Sequence, residues 1–442
     1  MVNQSVPRRD FLRYALGAAA GAAVLPALRP SRLLEDIEHS GLSDAGASYT
    51  FTWWTYITGA QNLLKPLVAG FNKVSKNRIS LNVSALAGSG ATLYPSKIQS
   101  LITSGKAPDV FRDWVGTLAS PFIDEGAVQP LTNWYKQYGW DKILEPPAVS
   151  FCSRHGQLYG VPVALNLVAV WYYKPAFEKA GVAAPKTYDE WEKVNAKLLK
   201  AGITPAGEAA IDGWDVMRLF EHVLEVTAGP KLHDQLLTLE ASWDNPAVVE
   251  AFALLKKWSD QGWLERGWLG TNPNDSSDLF VAGKVAQQFQ GNWEVQTLTS
   301  GGADLAKYDL FVPPGDHGPA RLAGFAEQYM VTKHVTGSRL KALGEFFNWW
   351  IRPENSQKYF YNGETATIGG LPKGTSRLDV LARKAAAMSN YGSYLIQDEA
   401  LGTALANQYF TLQAAVGGGK LAPRDAAKQM QKFVSSAKKG KS

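Results

Sequence analysis

Cysteine is almost absent from this chain: Cys152 is the only one in 442 residues, so no intrachain disulfide can form. A chain of this size can bury large cores without such staples. Cys152 is not placed for lipid attachment at a mature N-terminus, and its expected state is a buried, inert thiol. Histidine is scarce too, with six scattered residues that lack metal-ligand spacing, so no metal and no other cofactor is expected. Beyond the N-terminal region, no apolar run approaches the roughly 20 residues of a membrane-spanning helix. No basic stripe with interleaved aromatics occurs, which argues against nucleic acid as a partner. The short basic tail of Lys438, Lys439 and Lys441 reads as a solvated terminus. Nucleophile-elbow, HExxH and phosphate-loop motifs are missing as well.

Tryptophan, in contrast, is abundant, with 15 residues. Its wide apolar face and single N–H donor suit both cores and ligand platforms, and abundance alone does not choose between them. With 45% hydrophobic and 19% charged residues, the composition is that of a soluble globular protein. At roughly 100–200 residues per domain, two or three domains are expected.

The formal charge of +5 is uneven: Arg8, Arg9, Arg13 and Arg29 against Asp10 put much of it in residues 1–30. There the run Pro7-Arg8-Arg9-Asp10-Phe11-Leu12-Arg13 precedes an Ala- and Gly-rich apolar stretch over 14–28. That stretch is short for a membrane span and fits the h-region of a signal peptide. Arg8 and Arg9, followed by Phe-Leu-Arg, resemble the twin-arginine export signal of bacteria. The resemblance implies passage through the Tat translocase as folded cargo and a location outside the cytoplasmic membrane. Residues 1–30 are assigned to this signal and 31–48 to a polar leader. Pro26 and Pro30 obscure the cleavage point.

The remainder alternates strand and helix patterns. Strands are expected at 49–56, 79–85 and 109–111, with helices at 63–74 and 94–102 between them. This order argues for an α/β domain with a largely parallel sheet. A long apolar strand covers 168–173. Helical patterns follow at 187–200 and 248–261, with acidic caps at Asp189 and Asp244, and residues 214–236 are also helix-like. Strands are expected again at 286–290, 308–312 and 328–332, then a strong amphipathic helix at 338–350. After Pro353 the chain reads as mostly helical.

Several segments, in order, resemble the family 1 extracellular solute-binding proteins of the maltose-binding type. They are Ala107-Pro108-Asp109-Val110-Phe111, Tyr159-Gly160-Val161-Pro162-Val163, Val170-Trp171-Tyr172-Tyr173-Lys174 and Phe177-Glu178-Lys179-Ala180-Gly181. Pro185-Lys186-Thr187-Tyr188-Asp189-Glu190-Trp191, and Leu279-Phe280-Val281-Ala282-Gly283-Lys284 running to Gln290-Gly291-Asn292-Trp293, complete the set. Each motif is weak alone; their order and spacing over 49–438 make them fairly specific. Asn292 departs from the pattern, which usually has Pro before the Trp, and Tyr173 stands where Asn is common.

The resemblance implies the type II periplasmic-binding-protein fold, two α/β lobes joined by crossing hinge segments. The expected division is 49–163 with 310–352 for lobe one, and 164–309 with 353–442 for lobe two. It further implies a sugar or oligosaccharide ligand in the interlobe cleft, a membrane ABC permease with its ATPase as partner, a monomer, and no enzymatic activity.

A sugar presents apolar C–H faces and a rim of hydroxyls, so its site needs aromatic platforms and polar side chains. In open α/β sheets, ligands bind beyond the carboxyl ends of strands. Trp54 and Tyr56 end the first strand and are candidates, with lobe-one packing as their rival role. Asp113 and Trp114 are expected just past the third strand, where the family often has a sugar-binding Asp; the rival is a helix N-cap for 116–124. Asn166 falls where the family places a polar hinge ligand. Trp214, after Gly213, opens a helix of the second lobe. Trp293 is the aromatic the resemblance favours most for stacking on a sugar face. Glu327 offers a carboxylate beside Gly324-Phe325, and Gly370 belongs to a loop expected at the cleft rim.

A polyamine or a glycerol phosphodiester is the alternative ligand; Arg112 keeps the phosphate reading open. A secreted glycosidase would need two carboxylates about 5–10 Å apart, and Asp113 with Glu327 is the pair to test.

Overall fold

The computed structural model describes residues 46–57, 59–86, 93–316, 318–359 and 364–439. The proposed export signal, with Arg8 and Arg9, and most of the leader lie outside these described residues. The main strands form two sheets, one of six strands and one of four. In chain order, β1 (Ser48–Thr55), β2 (Arg78–Ala85), β3 (Val110–Trp114) and β4 (Gly160–Leu167) belong to the first sheet. Next, β5 (Ala169–Tyr173), β6 (Thr204–Ala206), β7 (Val285–Gln290) and β8 (Tyr308–Phe311) form the second. The chain then returns to the first sheet as β9 (Leu322–Val331) and β10 (Ser393–Leu395).

The helices that matter here are α1 (Ala60–Val74), α2 (Tyr188–Lys200), α3 (Trp214–Leu237), α4 (Pro246–Asp260), α5 (Glu294–Ser300) and α6 (Gly337–Trp350). They are followed by α7 (Arg377–Ala386), α8 (Gln397–Leu401), α9 (Thr403–Gly417) and α10 (Pro423–Lys439).

Strand β9 is the keel of the first sheet. One edge pairs antiparallel with β4; the other pairs with β10 near its start and with β3 near its end. All its residues are buried, as expected of a central strand covered on both faces. In β1 the alternation sends Phe51 and Trp53 inward and exposes Thr50 and Thr52. Trp53 lies 4.6 Å from Tyr329 of β9, centroid to centroid, and packs on Phe346 and Phe347 of α6. In the second lobe Trp191, Trp258 and Trp263 form one aromatic cluster. Nine of the 15 tryptophans are buried, so most of them are core. Trp54, Trp114, Trp214 and Trp293 are only partly buried.

The helix caps differ from those expected. Helix α2 is capped by Thr187, whose hydroxyl accepts from Glu190 N–H at 3.3 Å, while Glu190 accepts from Lys186 N–H at 2.7 Å. Helix α4 is capped by Asn245 rather than Asp244. A short neutral oxygen at the cap reaches the orphan N–H groups two or three residues on; Asp189 already lies inside the first turn of α2, and Asp244 lies one residue before the cap of α4. Thr187→Ala is expected to cost about 1 kcal/mol, read as a lower urea midpoint with unchanged slope.

The lobe boundaries expected from sequence texture also shift. Strand β8 still pairs with β5 of the second sheet through Phe311, so the second crossing comes after 311. After Pro353 the chain does not leave the first lobe at once. The segment after α6 first stays on the first lobe: Glu145 N–H donates to Ala366 O at 2.8 Å and Ile368 N–H to Ile143 O at 2.9 Å. Helix α7 then packs on α5 and β8 of the second lobe, where Arg377 Nη2 donates to Tyr308 O and Lys384 Nζ to Asp309 Oδ1 at 2.6 Å. Strand β10 then joins β9, and only α8, α9 and α10 pack against α3 and α4. Helical texture after Pro353 was a poor guide because both lobes carry helices there.

No helix among the described residues is long and apolar enough to cross a membrane. Cys152 is buried and free, and burial pushes its thiol well above the ordinary thiol range.

Candidate ligand-binding site

The first cluster forms where the hinge strands meet the carboxyl end of β3. That strand runs on to Trp114, three residues further than the sequence pattern suggested. Alternation then puts Arg112 and Trp114 on one face and Asp113 on the other. Residues directly opposite in an antiparallel pair share a face. Glu327 is opposite Trp114, and Phe325 is opposite Asn166, so these four side chains emerge together.

Glu327 is the hub. One carboxylate oxygen accepts from the Tyr56 hydroxyl, from Arg112 Nε at 2.6 Å and from Arg112 Nη2. The other accepts from Asn166 Nδ2 at 3.4 Å. The Tyr56 ring stacks on Trp114 with centroids 4.2 Å apart and planes 5° apart, and the Arg112 guanidinium lies 5.5 Å from the Tyr56 ring. Burial, reinforced by the Glu327 charge, holds the Tyr56 hydroxyl well above the ordinary tyrosine range. Burial acts to lower Arg112, but Glu327 together with Tyr56, Tyr329 and Glu364 outweighs it, and the guanidinium is held above its usual value. Glu364, also buried, is raised by burial and then by the neighbouring Glu327 charge.

The second cluster lies past the carboxyl end of β7 and on the first turns of α3. The guanidinium of Arg218 is 4.1 Å from the Trp214 ring and 4.5 Å from the Trp293 ring. Trp293 Nε1 donates to Gln290 Oε1 at 3.2 Å, and Gln290 Nε2 donates to Asp215 Oδ1 at 2.7 Å. Asp215 is wholly enclosed; burial raises it to about 6 against the pull of Arg218. Burial lowers Arg218, with Asp215 opposing. The two clusters meet where Trp293 touches Phe325, 5.7 Å between centroids.

The structure therefore brings Tyr56, Trp114, Asn166 and Glu327 into one group and Trp214 and Trp293 into a second. Trp54 is elsewhere: it stands on the β1 face opposite Trp53, under Lys97, beside the Phe111 and Tyr94 core. Asp113 is fully buried on the far face of β3, and neither carboxylate oxygen has a side-chain hydrogen-bond partner. Burial lifts it to about 8, opposed by the Trp114 backbone. It does not cap a helix, since the next one starts at Ser120 with Ala119 before it. Gly370 also lies away from the two clusters. It lines a cavity of about 570 Å³ with Leu165 and Leu167, on the face of β4 opposite Asn166. A Cβ there would come within 2.8 Å of Thr365 and 2.7 Å of Ser356, which is why the position is glycine.

Arg218 and Glu364 were not candidates from sequence. Arg218 had a signal: it lies four residues after Trp214 on one helix, hence on the same face. Asn292, the departure from the family motif, has a use that proline would lack. Its Nδ2 donates to Leu165 O at 3.0 Å and its Oδ1 accepts from Leu167 N–H at 3.4 Å, tying the Trp293 turn to hinge strand β4.

Among the described residues, no group of three or more His, Cys, Asp or Glu is arranged to hold a metal ion. The two carboxylates that a glycosidase would need, Asp113 and Glu327, project from opposite faces of the sheet. They do not flank a common space.

Comparison with known proteins agrees with this architecture. A "Probable sugar-binding periplasmic protein" of Rhizobium meliloti is 24% identical over 291 residues, 64% of each chain. The "Glucose-binding protein GlcS" of Saccharolobus solfataricus is 22% identical over 252 residues, 55% of this chain and 45% of its own. The match spans 55–64% of the length of the first curated relatives. Among solved structures, a chitin oligosaccharide binding protein superposes with a TM-score of 0.72 at 23% identity, over 88% of this chain and 99% of that one. The cyclic alpha-maltosyl-1,6-maltose binding protein of Arthrobacter globiformis gives 0.68 at 17% identity, over 88% and 98%. The fold is thus the two-lobed α/β fold of these binding proteins. The sequence profile of the bacterial extracellular solute-binding proteins matches residues 54–357, well over half of the chain, and the chain belongs to that family.

Proposed function

We propose that this protein captures a sugar or oligosaccharide in the cleft between its lobes and delivers it to an ABC permease in the membrane. One observation carries the reading. Two clusters of partly exposed aromatic rings, each braced by a buried arginine, meet at the hinge strands and sit among polar atoms that lack partners. Asn166 Oδ1, Arg218 Nε and Asp215 Oδ2 are all enclosed without a hydrogen bond. An enclosed polar atom left unpaired costs about 1–3 kcal/mol, a penalty that ligand hydroxyls remove because they both donate and accept. The rings supply faces for sugar C–H groups. Relatives described as sugar-binding, glucose-binding and multiple sugar-binding proteins support the same ligand class.

Both candidate-site arginines already face carboxylates, Arg112 with Glu327 and Arg218 with Asp215, which disfavours a phosphodiester. The enclosed carboxylates favour a polyamine as the second reading. We further propose export by the twin-arginine route through Arg8 and Arg9, and action as a monomer. The lobes divide near residues 167, 312 and 396.

A thermal-shift screen of the full chain against mono- and oligosaccharides, polyamines and glycerol phosphodiesters tests the reading. A ligand at 100 times its dissociation constant adds about 2.7 kcal/mol, a melt shift of a few degrees. A sugar is expected to give that shift and Trp293→Ala to remove it. A shift with polyamines alone would change the ligand class; glycoside turnover with no shift would overturn the reading.

A further inference from the structure

Arg218 fills the space between two indoles. Guanidinium-to-ring distances of 4.1 Å to Trp214 and 4.5 Å to Trp293 are well inside the roughly 6 Å range of cation–π attraction. The edge of the same guanidinium donates through Nη1 to Gln290 Oε1, the oxygen that also accepts from Trp293 Nε1. Trp293 is therefore held twice, by its face and by its N–H, and both restraints pass through Arg218 or Gln290. Gln290 is fixed in turn by Asp215, which lies 3.7 Å from Arg218 Nη1. Arg218 is 7% exposed, and its counter-charge is the enclosed Asp215 beside it; Asp398, Glu221 and Glu208 also lie near enough to act on it.

We propose that Arg218 is a positioning residue for ligand stacking: it fixes the plane of Trp293 and closes the indole face toward Trp214, leaving one face for a sugar ring. The proposal rests on the carbohydrate reading above. It makes Trp214 a backing plate for Arg218. It also explains why the residue is arginine. A flat guanidinium fits between two rings while its edge hydrogen-bonds; an ammonium group carries the same charge without the plane.

The test uses the full-length protein with maltotriose, xylotriose and chitotriose as neutral probes, titrated by calorimetry and by tryptophan fluorescence. Arg218→Lys and Arg218→Ala are each expected to weaken the best-bound probe at least tenfold and to abolish its fluorescence change. Lysine should not rescue. Trp214→Leu should weaken binding in the same direction. If Arg218→Ala does not fold, Arg218→Lys carries the comparison, with its sugar-free melting temperature as the control for a general loss of structure. Wild-type-like binding by Arg218→Lys would show that charge suffices and sink the proposal alone. Tighter binding by Arg218→Ala would mean that the guanidinium occupies the sugar's own slot, which also overturns it. Failure of the unmodified protein to bind any probe would sink the carbohydrate reading and this proposal together.

Discussion

Glu327→Ala is expected to cost about 3–5 kcal/mol of folding stability, the usual penalty for removing one partner of a buried ion pair. Arg112 and Glu327 have only 7% and 10% of their side chains exposed. Without the carboxylate, the guanidinium would stay enclosed with no counter-charge but Glu364, whose own burial favours its neutral form. Tyr56 and Asn166 would lose their acceptor at the same time. Urea unfolding of the two proteins gives the difference directly. Glu327→Gln should fall between them, since it keeps an oxygen for Tyr56 while removing the charge. The double change Arg112→Met with Glu327→Leu should recover much of the loss, because a buried pair is often replaceable by apolar groups of similar volume. A Glu327→Ala cost below 1 kcal/mol would mean that Arg112 finds water or another acid, and Glu327 would lose its place as hub. The result also separates two roles for this residue. Its oxygens are taken up inside the protein, so Glu327 shapes the ligand surface through Tyr56, Arg112 and Asn166 rather than by direct contact.

The fold was largely legible from local patterns. Strand alternation in β1 and β2, the Pro-Lys-Thr-Tyr-Asp-Glu entry into α2 and the apolar spacing of α6 each follow from chemistry within a few residues. The candidate site was legible only in part. Trp214, Trp293, Asn166 and Glu327, which the fold brings to the two clusters, were candidates because they sit at strand ends, helix starts or motif positions. What pattern could not give was register. Extending β3 by three residues turns Asp113 away from Trp114, and only pairing with β9 reveals that. Arg218 and Glu364 were missed because their meaning lies in partners distant in sequence: Gln290 and Trp293 for Arg218, and Glu327 and Arg112 for Glu364. The path of the chain after Pro353 was illegible for a similar reason, since the hydrogen bonds of Ala366 to Glu145 and Val163 leave no trace in hydropathy.

Asp113→Asn is expected to stabilise the protein at pH 8 while leaving it little changed at pH 4. The carboxyl is fully buried without a side-chain partner, and burial raises it from 3.8 to about 8. The folded state therefore holds this proton more tightly than the unfolded chain. Between pH 4 and 8 the unfolded chain has released it and the folded protein has not, so stability from this group falls as pH rises through that window. Below pH 4 both states are protonated and the effect vanishes. At about 1.4 kcal/mol for each tenfold change in proton affinity, the full loss is on the order of 5 kcal/mol by pH 8. Asparagine does not titrate, so its stability curve should lack that fall; urea midpoints measured from pH 4 to 8 for both proteins give the comparison. Parallel curves would mean that water or another group already satisfies Asp113 in solution. A buried acid that destabilises the protein is retained most simply for function, as stability is commonly given up at binding sites. If Asp113 exchanges its missing partners for ligand hydroxyls when the lobes close, Asp113→Asn will melt higher at pH 8 and bind sugar more weakly. A variant that gains stability and keeps full affinity would keep Asp113 where the β3 register puts it, on the face away from both aromatic clusters.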